Sequence, residues 1–131
     1  MKSLAQLLDR RGVRMAAGCV ALTLAAIIVF LSVVNASGVP GASVSDKLKH
    51  FVAYGALALP VCVFMGRRRI LFALILVIAL GISMEIAQAL AGTGRSPSVL
   101  DAIANALGAG MSAVMFWGLM KRAEISSPVR S

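Results

Sequence analysis

This sequence predicts an all-α fold: an integral membrane bundle of four transmembrane helices with both termini cytoplasmic. Three observations predict it. The 131 residues are 60% hydrophobic and only 14% charged, with a mean hydropathy of +0.92, more apolar surface than a soluble domain of this size can hide. The apolar residues fall into four stretches of helical length separated by short polar breaks. The basic residues collect in alternate breaks, the asymmetry by which a multi-pass chain sets its orientation. These figures argue against a water-soluble globular enzyme and exclude disordered and fibrous classes.

The first stretch, residues 15–34, is twenty residues without a charge, enough for one helical crossing. Basic residues precede it, as in a secretory signal. It is long for a signal core and lacks a convincing cleavage site, so it reads as an uncleaved anchor. The second stretch, 51–65, reaches spanning length if its helix starts near residue 46, with Lys47 and Lys49 extending outward along their stems. Pro60 inside it is tolerated as a kink. The third, 70–91, carries Glu85 and Gln88, and the fourth, 99–120, carries Asp101 and Asn105.

Between them lie a Gly/Ser/Pro loop at 35–45, a tight basic turn at 66–69 and a Gly/Pro turn at 92–98. Ser96 before Pro97 is a good helix opening; Ser98 with Asp101 three residues on is an alternative, a capping box. The chain then divides into a basic N-terminal segment 1–14, a membrane domain 15–120 with helices near 15–34, 46–65, 70–91 and 99–120, and a tail 121–131. Cys19 and Cys62 both lie in apolar runs and read as small packing residues, not metal ligands.

Orientation follows from the net charge of +8. Lys2, Arg10, Arg11 and Arg14, then Arg67, Arg68 and Arg69, then Lys121, Arg122 and Arg130 fall on one side, ten of the thirteen basic residues; Lys47, Lys49 and Arg95 fall on the other. Excess positive charge stays cytoplasmic, so both termini are expected inside and the 35–50 and 92–98 loops outside.

The acids are the exceptions that matter. Asp9 and Glu124 lie in cytoplasmic segments, but Asp46, Glu85 and Asp101 come from three different helices and fall at one outer level. Lys47, His50 and Tyr54 follow Asp46, Gln88 lies one turn from Glu85, Arg95 sits in the outer turn, and Asn105 shares a face with Asp101. Gly81, Glu85, Gln88 and Gly92 repeat at helical spacing, as do Asp101, Asn105, Gly108 and Ser112. Faces of small and polar residues belong inside a bundle, where backbones approach closely, or between copies of it. A charge within the membrane costs about 2.5–3.5 kcal/mol on insertion scales, so Glu85 needs a partner; Arg95 and His50 are the obvious ones, with Lys47 a third. Register-fixing ion pairs and amides are the plain structural explanation of such a cluster. The convergence of so many residue types at one level favours a binding role.

The order Asp46-Lys47-Leu48-Lys49-His50-Phe51, Tyr54-Gly55, Glu85-Ile86-Ala87-Gln88, Arg95, then Asp101 and Asn105 with Gly108 resembles the VanZ-like family of small bacterial membrane proteins, over Asp46 to Trp117. The resemblance implies a link to low-level resistance to the glycopeptide teicoplanin, which acts outside the cytoplasmic membrane. It carries the family's polar motif onto Asp46, Lys47, His50, Tyr54, Glu85, Gln88, Arg95, Asp101 and Asn105, and no catalytic role comes with it.

Three functions compete. A binding or accessory protein of the cell envelope would use Arg95, Lys47 and His50 on the phosphate of a phospholipid or lipid-linked wall precursor, and the acids on amine or hydroxyl groups. An enzyme on the same lipid would use His50 as base, Glu85 or Asp101 to orient it, and Arg95 to stabilise negative charge. Its metal version would add Asp46, but one histidine among carboxylates is weak metal evidence, so no metal or cofactor is predicted. A transporter is disfavoured because the inner halves of the stretches carry almost no ionisable group. Nucleic acid is not an expected partner: the basic residues lack interleaved aromatics.

Overall fold

The structure, a computed structural model, describes residues 4–33, 45–90 and 98–125, and every regular element in them is helical. A short helix α1 (Leu4–Leu8) precedes α2 (Arg11–Val33), α3 (Asp46–Met65), α4 (Ile70–Leu90) and α5 (Val99–Ile125), with a 3-10 turn at Arg67–Arg69 between α3 and α4. Helices α2 to α5 are each long and apolar enough to cross a membrane. Leu22, Phe30, Leu71, Ile86 and Val114 all point outward. So broad an apolar exterior is stable only against lipid.

Two helices are longer than their apolar stretches. Helix α2 starts at Arg11 instead of residue 15 because its first turn is anchored: Arg14 Nε and Nη2 donate to the carbonyls of Phe64 (2.9 Å) and Met65 (3.2 Å). A guanidinium there satisfies the free carbonyls ending α3 and sits at its negative dipole end. Helix α5 continues past residue 120 to Ile125 because its last turn is tethered: Glu124 pairs with Arg67, and Lys121 lies 5.0 Å above the Trp117 ring. Helix α3 runs unbroken through Pro60 and ends at Gly66, whose φ of 80° lies in the left-handed region that turns the chain into α4.

The bundle is built around α3, which contacts α2, α4 and α5 and packs most intimately on α5. The residues at that crossing explain why. A Cβ on Gly108 would stand 2.1 Å from the Phe51 carbonyl oxygen, and one on Gly55 would stand 3.3 Å from the Gly108 oxygen. Ser112 Oγ donates across the same seam to the Gly55 carbonyl at 2.8 Å. The two helix backbones meet because neither carries a side chain there. Apolar clusters flank this crossing, one with Tyr54, Leu57, Val77 and Ala109, the other with Cys62, Ala73, Phe116 and Met120. Cys62 is thus the packing residue it was expected to be, whereas Cys19 is exposed on α2 and packs no core. The difference is one of helix: α2 is the least buried of the four and turns most of its surface outward.

The alternation of helices gives the bundle two chemically distinct ends. Asp46, Glu85 and Asp101 mark an acid end; Arg14, Arg67–Arg69 and Lys121 mark a basic end. A cavity of about 720 Å³ opens at the basic end among Arg14, Arg67, Trp117 and Glu124. Arg67 there is already paired with Glu124, and Arg14 is committed to α3 carbonyls.

Candidate functional site

The chemistry-bearing side chains converge at the acid end. Helix α3 supplies Asp46, Lys47, His50 and Tyr54 from successive turns, α4 supplies Glu85 and Gln88, and α5 supplies Asp101 and Asn105. Glu85, Gln88, Asp101, Asn105 and Tyr54 are all buried, while Asp46 is half exposed at the rim. The stripe residues Gly81 and Gly108 lie beneath them: a Cβ on Gly81 would come within 3.0 Å of Asn105 Nδ2 and 3.1 Å of the Tyr54 ring. The missing side chains are what let Asn105 and Tyr54 reach the centre.

His50 is the hub. Its Nδ1 lies 3.0 Å from Asn105 Oδ1, its Nε2 lies 4.0 Å from Asp46 Oδ2, and Glu85 Oε1 approaches Nδ1 at 4.0 Å. An amide oxygen only accepts, so Nδ1 carries a proton in this pairing, and in the neutral ring Nε2 is then the nitrogen with the lone pair. The Tyr54 ring stacks parallel to the imidazole four residues away, centroids 6.4 Å apart. Lys47 Nζ lies 3.8 Å from Asp101 Oδ1, and Lys49 Nζ lies 4.0 Å from Asp46.

The sequence suggested Arg95, His50 or Lys47 as partners for Glu85. His50 is at ion-pair distance from it, 4.0 Å, and the hydrogen bond to Glu85 comes from elsewhere: Ser98 donates its backbone N–H to Glu85 Oε2 at 2.9 Å. Ser98 Oγ in turn accepts from the Asp101 N–H at 3.3 Å. The suggested capping box is therefore half built. Its hydroxyl arm is present, but the returning carboxylate comes from α4 instead of Asp101, so α4 is clasped to the start of α5. No pattern within either helix could have revealed this bond. Lys47 pairs with Asp101 instead. Arg95, like Ser96, Pro97 and Gly92, lies outside the described residues. Gln88 is buried one turn from Glu85.

Among the described residues the cluster is under-satisfied. Tyr54 Oη, Glu85 Oε1, Gln88 Nε2, Asp101 Oδ1 and Asn105 Nδ2 are buried and have no hydrogen-bond partner among the described residues. Each such group costs about 1–3 kcal/mol, more than register-fixing alone requires. All five come from α3, α4 and α5. The set mixes donors and acceptors, which suits a ligand carrying both.

Access is lateral. A cleft of about 110 Å³ between α2 and α3 is lined by Ser32, Asp46, Lys49, His50 and Tyr54. One turn deeper, an apolar groove of about 460 Å³ is lined by Ala25, Leu57, Val77 and Leu80 along α2, α3 and α4. The groove extends along the seam toward Met15, Phe64 and Met65 at the basic end.

A family model described as VanZ/LLP1 matches residues 19–121, which includes every site residue named above. No curated protein and no solved structure matches the chain.

Proposed function

Because the chain belongs to the VanZ/LLP1 family, we propose that it works as a multi-pass protein of the bacterial cytoplasmic membrane whose acid end faces outward and captures the phosphate-bearing head group of an envelope lipid. The ligand class is a phospholipid or a lipid-linked wall precursor. One observation carries this reading: five buried polar atoms that have no hydrogen-bond partner among the described residues, at the end of the bundle where Asp46, Lys49 and His50 line a cleft between α2 and α3. Lys47, Lys49 and His50 meet the phosphate, and the carboxylates and amides meet amine or hydroxyl groups. The acyl chain lies along Leu57 and Leu80. A role in teicoplanin tolerance fits this placement, since a protein that holds a wall precursor outside the membrane alters what the antibiotic meets.

Two experiments test it. For orientation, Ser45→Cys and Arg68→Cys are made separately in a Cys19→Ser/Cys62→Ala background; both host positions are exposed. A membrane-impermeant maleimide added to intact spheroplasts is expected to label the first and spare the second. Labelling of the second alone would invert the site and defeat an outer-leaflet role. For binding, a phospholipid with a photoreactive acyl chain is expected to crosslink to residues lining the α2–α3 seam. His50→Ala should cut the yield about tenfold, the equivalent of one charge-assisted hydrogen bond of about 1.5 kcal/mol. An unchanged yield would remove His50 from the binding set.

An enzymatic reading has one observation in its favour. Asn105 holds the His50 tautomer that leaves Nε2 basic, the arrangement a general base needs. Turnover of a purified lipid, lost in His50→Ala, would establish it.

A further inference from the structure

At the rim of the cluster three ligand types approach one point. The side chains of Asp46, His50 and Asp101 each offer one donor atom, and these atoms lie within 4.8 Å of one another. His50 Nε2 and Asp46 Oδ2 are 4.0 Å apart, too far to hydrogen-bond. Two donors on one cation with bonds of about 2.0–2.2 Å stand roughly 3–3.5 Å apart, so a bound ion would draw the half-exposed Asp46 side chain inward toward His50. We propose that Asp46, His50 and Asp101 form a site for one divalent transition-metal cation, of the Zn²⁺ or Mn²⁺ class, with at least one coordination position left open.

Independent features support it. Asp101 is nine-tenths buried, yet among the described residues its Oδ1 has no hydrogen-bond partner, only the Lys47 ammonium at 3.8 Å. A carboxylate oxygen held that way is expected to serve a cation. Asn105 acts behind the imidazole: by accepting from Nδ1 it fixes the tautomer whose Nε2 lone pair faces Asp46. An outer hydrogen bond of that kind is the usual companion of a metal-binding histidine. The charges balance, since two carboxylates and a neutral imidazole match one dication. Lys47, 3.8 Å from Asp101 Oδ1, is the competing cation, and its half-exposed side chain is free to swing into solvent. The imidazole selects a borderline metal over Mg²⁺, which prefers oxygen ligands and keeps its waters. Asp46 and His50 line the cleft together with Lys49, from which a phosphate oxygen or a water would complete the shell.

The site stands on ligand geometry and does not depend on the lipid reading, so its test uses no phosphate. Chelator-stripped protein is purified in a maltoside detergent with its affinity tag removed and titrated calorimetrically with Zn²⁺, Mn²⁺ and Mg²⁺. The expected result is one Zn²⁺ per chain, bound at least about tenfold more tightly than Mg²⁺. Asp46→Asn, at the exposed rim where folding is not at stake, should weaken Zn²⁺ at least about tenfold and remove the thermal stabilisation that Zn²⁺ gives the wild type. Asp101→Asn should do the same. Equal Zn²⁺ binding by the wild type and Asp46→Asn, a preference for Mg²⁺, or no uptake by the wild type would each overturn the assignment.

Discussion

Gly108→Ala is expected to lower the thermal midpoint of the purified protein by about 10 °C or to remove its cooperative transition altogether. The new Cβ would stand 2.1 Å from the Phe51 carbonyl oxygen and 2.9 Å from its carbon. Both are backbone atoms, so no side-chain rotation relieves the overlap and α3 and α5 must separate. Overpacking a tight core costs about 1–3 kcal/mol and sometimes more, and a backbone clash belongs at the upper end. At about 3 kcal/mol a domain of this size loses roughly 10 °C. Separation would also break the Ser112–Gly55 hydrogen bond and draw Asn105 away from His50, since all lie on the same seam. The same substitution at Gly110 or Gly118, where a Cβ meets nothing within 4 Å, reverses the sign. Alanine is favoured over glycine in a helix by about 0.5–1 kcal/mol, so those variants should match or exceed the wild type. Thermal unfolding of the three proteins in one detergent decides it. If Gly108→Ala melts with Gly110→Ala, the close α3–α5 crossing is wrong.

How much of this was written in the sequence can be judged from the residues at that seam. The four membrane helices were legible because hydropathy responds to composition over a whole turn or more. The stripes were legible too. Gly81, Glu85 and Gln88 on α4, and Asp101, Asn105, Gly108 and Ser112 on α5, are all buried, because a face of small and polar residues has nowhere to go but the bundle interior. Pairing across helices was not legible. Whether Lys47 meets Asp101 or Glu85 depends on the relative rotation and height of α3, α4 and α5, and no periodicity within one helix encodes these. The bond from Ser98 to Glu85 is harder still, because a backbone N–H carries no residue identity. The ends of α2 and α5 escaped hydropathy for a related reason: Arg14 and Glu124 look like polar flanks until their partners on neighbouring elements are known.

Glu85 offers the sharpest separation of structural from functional work. Its Oε2 accepts from the Ser98 N–H at 2.9 Å while its Oε1 is buried without a hydrogen bond, 4.0 Å from His50 Nδ1. The first oxygen clasps α4 to the start of α5; the second faces the hub of the cluster. Glu85→Ala removes both and leaves the Ser98 N–H without its acceptor, which should destabilise the protein by about 1.5–3 kcal/mol, the usual worth of a hydrogen bond to a charged group. Glu85→Gln keeps a carbonyl oxygen for Ser98 and removes only the charge. Since a charge inside the membrane itself costs about 2.5–3.5 kcal/mol on insertion scales, the glutamine protein should be at least as stable as the wild type. Its stability and its function should therefore part company. Photocrosslinking of phospholipid at the α2–α3 seam is expected to fall about tenfold in Glu85→Gln, the loss of one charge-assisted contact, even as its thermal midpoint holds or rises. That outcome would mark the Glu85 carboxylate as serving a ligand rather than the fold. Were the glutamine variant to capture lipid as well as the wild type, Glu85 would be a helix clasp and nothing more.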